Sequence, residues 1–87
     1  MSKAYHFWSP TCVPCKAIKP VIEDLKEEFS NIQWISVNIQ DDPDNHCEKF
    51  NVHIVPTIVA VSSSGNVDRH TGTTAAGYYR ILRTASR

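Results

Sequence analysis

Apolar residues recur along this chain with two different periods. From Cys12 onward, Ile18, Val21, Ile22, Leu25 and Phe29 fall at steps of three and four, with Lys16, Lys19, Glu23, Lys26 and Glu27 between them. This is the spacing of one buried helical face. It predicts a helix from about Cys12 to Phe29 with Pro14 in its first turn, bent at Pro20, which lies inside the pattern without an amide proton to donate. Before it, Ala4 to Trp8 is a short aromatic run closed by Ser9-Pro10-Thr11, which reads as a buried strand ending in a turn. After it, Ile32 to Ile39 alternates at Ile32 and Trp34 and is then rich in β-branched residues, predicting a strand mostly buried on both faces. Strand, helix and strand in this order imply a right-handed parallel crossover.

In the second half, Asp41-Asp42-Pro43-Asp44 offers an N-cap before a proline at the first helical position. A short helix is predicted there, with Cys47 and Phe50 on one side and its end near Asn51. Pro56 precedes the apolar strand Thr57 to Val61, and the turn Ser62 to Asn66 returns Val67 to Thr71 as its antiparallel partner. Thr73 or Thr74 can cap a last helix whose apolar side is Tyr78, Tyr79 and Leu82, with Arg80, Arg83 and Arg87 toward its negative end; Gly77 weakens it. The order β-α-β-α-β-β-α defines an α/β fold: a mixed four-stranded sheet with helices on both faces.

Length and charge narrow what such a fold can do. Eighty-seven residues with no repeat or linker make one domain spanning 1–87. Nine basic residues against nine acidic ones leave a formal net charge of zero, so no long-range field draws the chain to nucleic acid or to anionic membranes. The first residues lack the pattern of a signal peptide, and no run approaches the roughly 18 apolar residues of a membrane span. A cytoplasmic monomer is the expectation. Three cysteines are too few, and odd in number, for the disulfide framework of a small secreted protein.

Two of those cysteines stand at the junction of the first strand and the long helix, as Cys12-Val13-Pro14-Cys15. A sulfur at a helix start faces unpaired amide protons and the positive end of the macrodipole, which favour the thiolate. Spacing of three brings the second sulfur within reach on one helical turn. Cys12, nearer the start, can attack a disulfide, and Cys15 can then attack Cys12 to release the reduced product. A zinc site built from Cys12, Cys15, His46 and Cys47 has the wrong spacing for paired knuckles, because adjacent residues on a helix point about 100° apart. Cys47 reads as a small core hydrophobe beside Phe50, Trp8 and Trp34 as core, and His46, His53 and His70 as surface residues.

Phe7-Trp8, Cys12-Val13-Pro14-Cys15-Lys16, Pro20 and Val55-Pro56-Thr57 together resemble the thioredoxin family in order and approximate spacing over nearly the whole chain. The resemblance implies a dithiol reductase of protein disulfides that needs no bound cofactor and takes its electrons from a thioredoxin-reductase-type donor. It implies a cis bond before Pro56, a loop packed against the cysteine pair, and a substrate groove over Thr11, Val13, Pro14, Val55, Pro56 and Gly72. It also leaves open a disulfide oxidant or isomerase, or a binding module that uses the same surface without redox chemistry.

The chain departs from the family pattern in four ways. It begins almost directly at the strand that leads into the cysteine pair, as a shortened thioredoxin lacking an initial strand and helix would. Val13 stands where glycine is usual, and Thr11, which can cap the helix, stands where an exposed tryptophan is usual. His6 occupies the place of a buried aspartate that assists deprotonation of the second cysteine, and Ser36 that of its lysine partner. His6 is thus the candidate proton acceptor for Cys15.

Overall fold

A computed structural model describes residues 1–87. Four strands form one mixed sheet: β1 (Lys3–Trp8), β2 (Gln33–Asn38), β3 (Thr57–Val61) and β4 (Val67–Thr71), in the spatial order β2-β1-β3-β4. β1 pairs parallel with β2 and antiparallel with β3, and β3 pairs antiparallel with β4. The helices are α1 (Val13–Ala17), α2 (Lys19–Glu28), α3 (His46–Lys49) and α4 (Ala75–Ala85). None is long and apolar enough to cross a membrane.

The strand period of two divides the interior. Ala4, Ile58 and Ala60 face a core filled by Ile18, Ile22, Leu25 and Phe29 from the α1–α2 arm and by Tyr78, Ile81, Leu82 and Ala85 from α4. Tyr5, Phe7 and Val59 face the other side, where Val37 and Val52 are buried and Cys47 and Phe50 pack against them. His6 alternates with Tyr5 and Phe7 and so belongs to the α2 face, opposite Ile58 in register.

Three expectations are corrected in detail. The long helix does not bend at Pro20 but breaks at Ile18, whose φ of −94° and ψ of 2° end α1 and start α2. Pro20 has no N–H to give to the Lys16 carbonyl and its ring crowds that oxygen, so the ladder opens just before the proline. Bonds from Ile18 N–H to Pro14 O (3.1 Å) and from Ile22 N–H to Ile18 O (3.0 Å) carry the chain across the break.

The helix expected to open at Pro43 begins at His46 instead. Asp42 still serves its start: the carboxylate accepts from His46 N–H at 3.1 Å and Cys47 N–H at 2.8 Å across a turn in which Asn45 is left-handed, with φ of 57°. These amide donors hold the Asp42 carboxyl below its ordinary pKa. Finally, β2 is not buried on both faces. It lies at the edge of this sheet, and of its six residues only Val37 is buried. Trp34 is accordingly half-buried, with Nε1 donating to Phe29 O at 3.1 Å.

Candidate active site

Because β1 and β2 are parallel, with Trp8 opposite Asn38, their C-terminal ends open on one rim of the sheet. In α/β sheets that rim is where backbone and ligands meet. From Trp8 the chain turns through Ser9, Pro10 and Thr11 into α1, with Cys12 N–H donating to Ser9 O at 3.1 Å.

Cys12 itself is the N-cap. Its backbone is extended, and its Sγ accepts the Cys15 N–H at 3.1 Å. Thr11 does not cap the helix as expected. Its hydroxyl lies 3.1 Å from Ser9 Oγ and accepts from Gln40 Nε2 at 3.1 Å, and the same amide donates to Ser9 Oγ at 3.0 Å. Gln40 was not among the candidates. It follows the end of β2 and reaches Thr11 through the parallel register that aligns the two strand ends, which no local sequence pattern displays.

Cys12 and Cys15 are joined as a disulfide, with Cα atoms 5.2 Å apart. Cys12 is half-buried while Cys15 is only 9% exposed, so the pair offers one sulfur to a visiting molecule. The Val55–Pro56 bond is cis, and Val55 O lies 3.7 Å from Cys12 Sγ. Gly72 closes the same wall: its N–H donates to Pro56 O at 3.1 Å, and its φ of 115° is a conformation that suits glycine. Around this wall Val13 is 72% exposed and Ile54 65%. Pro14 is exposed in the first turn of α1. The structure thus gathers Cys12, Cys15, Val55, Pro56 and Gly72 on one rim, with Thr11 and Val13 beside them.

Behind Cys15 a cleft of about 420 Å³ runs between the sheet and α2, its walls including His6, Trp8, Lys19, Lys26 and Ser36. Trp8 is half-buried there, and its Nε1 donates to Ser36 Oγ at 2.7 Å. His6 pairs with Ser36 across β1 and β2, and its Nε2 is buried without a hydrogen-bond partner. Burial pushes the His6 pKa down to about 4, with the Lys26 charge adding to the effect. The ring is therefore neutral near pH 7.

The remaining candidates lie apart from this rim. Cys47 is half-buried on α3, where burial and the neighbouring Asp42 carboxylate push its thiol up to about 11 and keep it protonated. His53 is exposed, as expected, but His46 and His70 are not surface residues: both are half-buried, each with one buried ring nitrogen unpaired. Aromatic packing explains this, since the His46 ring sits 5.2 Å from that of Tyr5 and the His70 ring 4.7 Å from that of Tyr78. No three His, Cys, Asp or Glu side chains are grouped so as to hold a metal ion.

Comparison with known proteins agrees with this arrangement. A family model described as Thioredoxin matches residues 4–82. Thioredoxin of Chlamydia caviae is 36% identical over 66 residues, covering 76% of this chain and 64% of that protein. Thioredoxin of Porphyra purpurea is 33% identical over 63 residues, covering 71% and 58%. The chain thus spans roughly three-fifths of the length of these relatives. Among solved structures, Fasciola hepatica thioredoxin superimposes with a TM-score of 0.85 at 23% identity over 97% of this chain and 80% of that one. The oxidised thioredoxin of Plasmodium falciparum gives 0.80 at 21% identity, over 99% and 82%. These structural likenesses speak for the fold, whereas the family match runs through the strand, the cysteine pair and the proline loop alike: the chain belongs to the thioredoxin family.

Proposed function

We propose that the chain is a thiol-disulfide oxidoreductase that reduces protein disulfides by dithiol exchange through Cys12 and Cys15. One observation carries this reading: Cys12 Sγ sits at a helix start with an amide donor on it, beside the cis-proline loop, and Cys15 lies behind it. That N–H stabilises negative charge on the sulfur once the pair is reduced.

In the forward step the Cys12 thiolate attacks one sulfur of a substrate disulfide. Its S–S bond breaks, and the departing thiolate takes a proton. Cys15 then loses its proton and attacks Cys12 Sγ, expelling the second substrate thiolate and closing the Cys12–Cys15 disulfide. Two electrons pass from the dithiol to the substrate, and a thioredoxin-reductase-type donor returns them. His6 lines the cleft beside Cys15 with an unpaired nitrogen, which supports its role as acceptor of the Cys15 proton. A dithiol that donates electrons works where a donor keeps it reduced, in keeping with a cytoplasmic setting.

The test is the equilibrium potential of the pair against a glutathione buffer, on a Cys47→Ser background so that a single disulfide can form. A reductant sits near or below the cytosolic poise of about −220 to −320 mV. A value near about −120 mV would instead assign oxidant chemistry.

The exposed Val13 and Ile54 support a groove that covers apolar substrate surface. Val13→Glu leaves an unpaired carboxylate under bound substrate, at about 1–3 kcal/mol, so kcat/KM for protein disulfides should fall roughly 5- to 150-fold. Unchanged kinetics across several substrates would remove Val13 from the groove.

A further inference from the structure

The two backbone segments that form the wall beside Cys12, Val55-Pro56 and Gly72, belong to different loops, and a single side chain beneath them touches both. Tyr78 is fully buried on α4. Its hydroxyl donates to Pro56 O at 3.2 Å and to Gly72 O in a shorter bond, sharing one proton between two carbonyls. Pro56 O also receives the Gly72 N–H at 3.1 Å, so the three groups close on one another. No heavy atom lies within 4 Å of where a Cβ on Gly72 would stand, so the clasp leaves open space beside this residue.

The tyrosine is in turn held in place. The His70 ring on β4 meets the Tyr78 ring edge-on, with centroids 4.7 Å apart and planes at 89°. It occupies the space where a side chain at position 77 would begin, since a Cβ on Gly77 would fall 2.2 Å from the ring. This accounts for the glycine that otherwise weakens α4. Burial also pushes the Tyr78 phenol up to about 12, so the donor keeps its proton over any working pH.

We propose that Tyr78 is a positioning residue for substrate recognition: its hydroxyl fixes the spacing between the Pro56 and Gly72 segments, so that an incoming protein chain meets a preformed wall beside Cys12. The proposal deepens the oxidoreductase reading and rests on it. Tyr78 lies below the wall and does not touch the sulfurs, so it acts on binding of an extended substrate and not on exchange itself.

The test is Tyr78→Phe, which keeps the ring packing and removes the donor. Two readouts separate the parts. Hydrogen exchange at the Gly72 amide, followed in the folded protein, should quicken about tenfold or more while amides in the middle of α4 stay as they were. In turnover, KM for a protein disulfide should rise several-fold with kcat little changed, and the rate with a small linear disulfide such as bis(2-hydroxyethyl) disulfide, which spans no groove, should equal that of the parent. Unchanged exchange at Gly72 overturns the clasp. Faster exchange with an unchanged KM, or equal losses toward the small and the protein disulfide, overturns the positioning role. A parent protein inert toward both disulfides overturns the functional reading and with it the role in substrate binding, while the exchange measurement still decides whether the hydroxyl holds the two segments.

Discussion

Cys12→Ser is expected to reduce disulfide exchange to the rate seen without protein, and to do so in a chain that remains folded. Cys12 has two separable jobs. Its side chain caps α1 by accepting the Cys15 N–H, and it is the less buried member of the pair. Serine is among the preferred N-cap residues, so the hydroxyl can take over the first job, whereas it is not a nucleophile toward a disulfide near neutral pH. Cys12→Ala, which also loses the cap, should cost about 1 kcal/mol more in urea unfolding. Cys15→Ser has a different signature: the first step proceeds, release does not, and one equivalent of mixed disulfide through Cys12 accumulates, as mass spectrometry would register. If the double serine variant kept the biological activity of the parent, the surface around the pair would be a binding module and the chemistry incidental.

The second large effect concerns acid. His6 has a pKa of about 4 in the folded chain against 6.5 when free in solution. Between those values the unfolded chain binds a proton that the folded chain does not, so stability from this site is complete above pH 6.5 and is lost as pH falls from 6.5 through 4. The shift corresponds to at most about 3 kcal/mol at one group. Urea unfolding of the parent and of His6→Gln at pH 7 and at pH 4.5 isolates it, because the carboxylates common to both cancel in the difference. The parent should lose about 2–3 kcal/mol more than the variant over that interval. Parallel pH profiles would mean that the imidazole is freely hydrated.

The same environment shapes its chemistry. A buried imidazole beside Lys26 is a weak base, so it can take the Cys15 proton only in passing, on the way to water in the open cleft. His6→Ala should accordingly slow release of the mixed disulfide more than its formation, and equal slowing of both steps would end that role.

Much of this architecture was legible in local pattern. The three-and-four spacing of Ile18, Ile22, Leu25 and Phe29, the apolar Thr57–Val61 run and the placement of Cys12-Val13-Pro14-Cys15 after a strand depend on residues close in sequence, and all appear where expected. What was not legible depends on the register between distant segments. Gln40 reaches Thr11 only because Trp8 and Asn38 end side by side, and Tyr78 reaches Pro56 and Gly72 only because α4 packs beneath β3 and β4. The exposure of β2 had the same origin: a β-branched run reads alike at the edge and at the centre of a sheet, and only the strand order distinguishes them. His6 was visible as a substitution, but its lowered pKa comes first from burial between the sheet and α2, with the charge of Lys26, twenty residues away in the chain, adding to it.

The apolar rim at Val13 and Ile54, carried on a chain of zero net charge, determines how partners are met as well as how they are held. Without a long-range field there is no steering, so encounters proceed at the orientation-limited pace of about 10⁵–10⁷ M⁻¹s⁻¹ and vary little with ionic strength. Discrimination among partners is then postponed until after collision, when water leaves the rim. The thermal signature of such a contact is a negative heat-capacity change. A reductant of the kind proposed, built this way, would sample many surfaces briefly and be retained only by those that present apolar side chains flanking their disulfide.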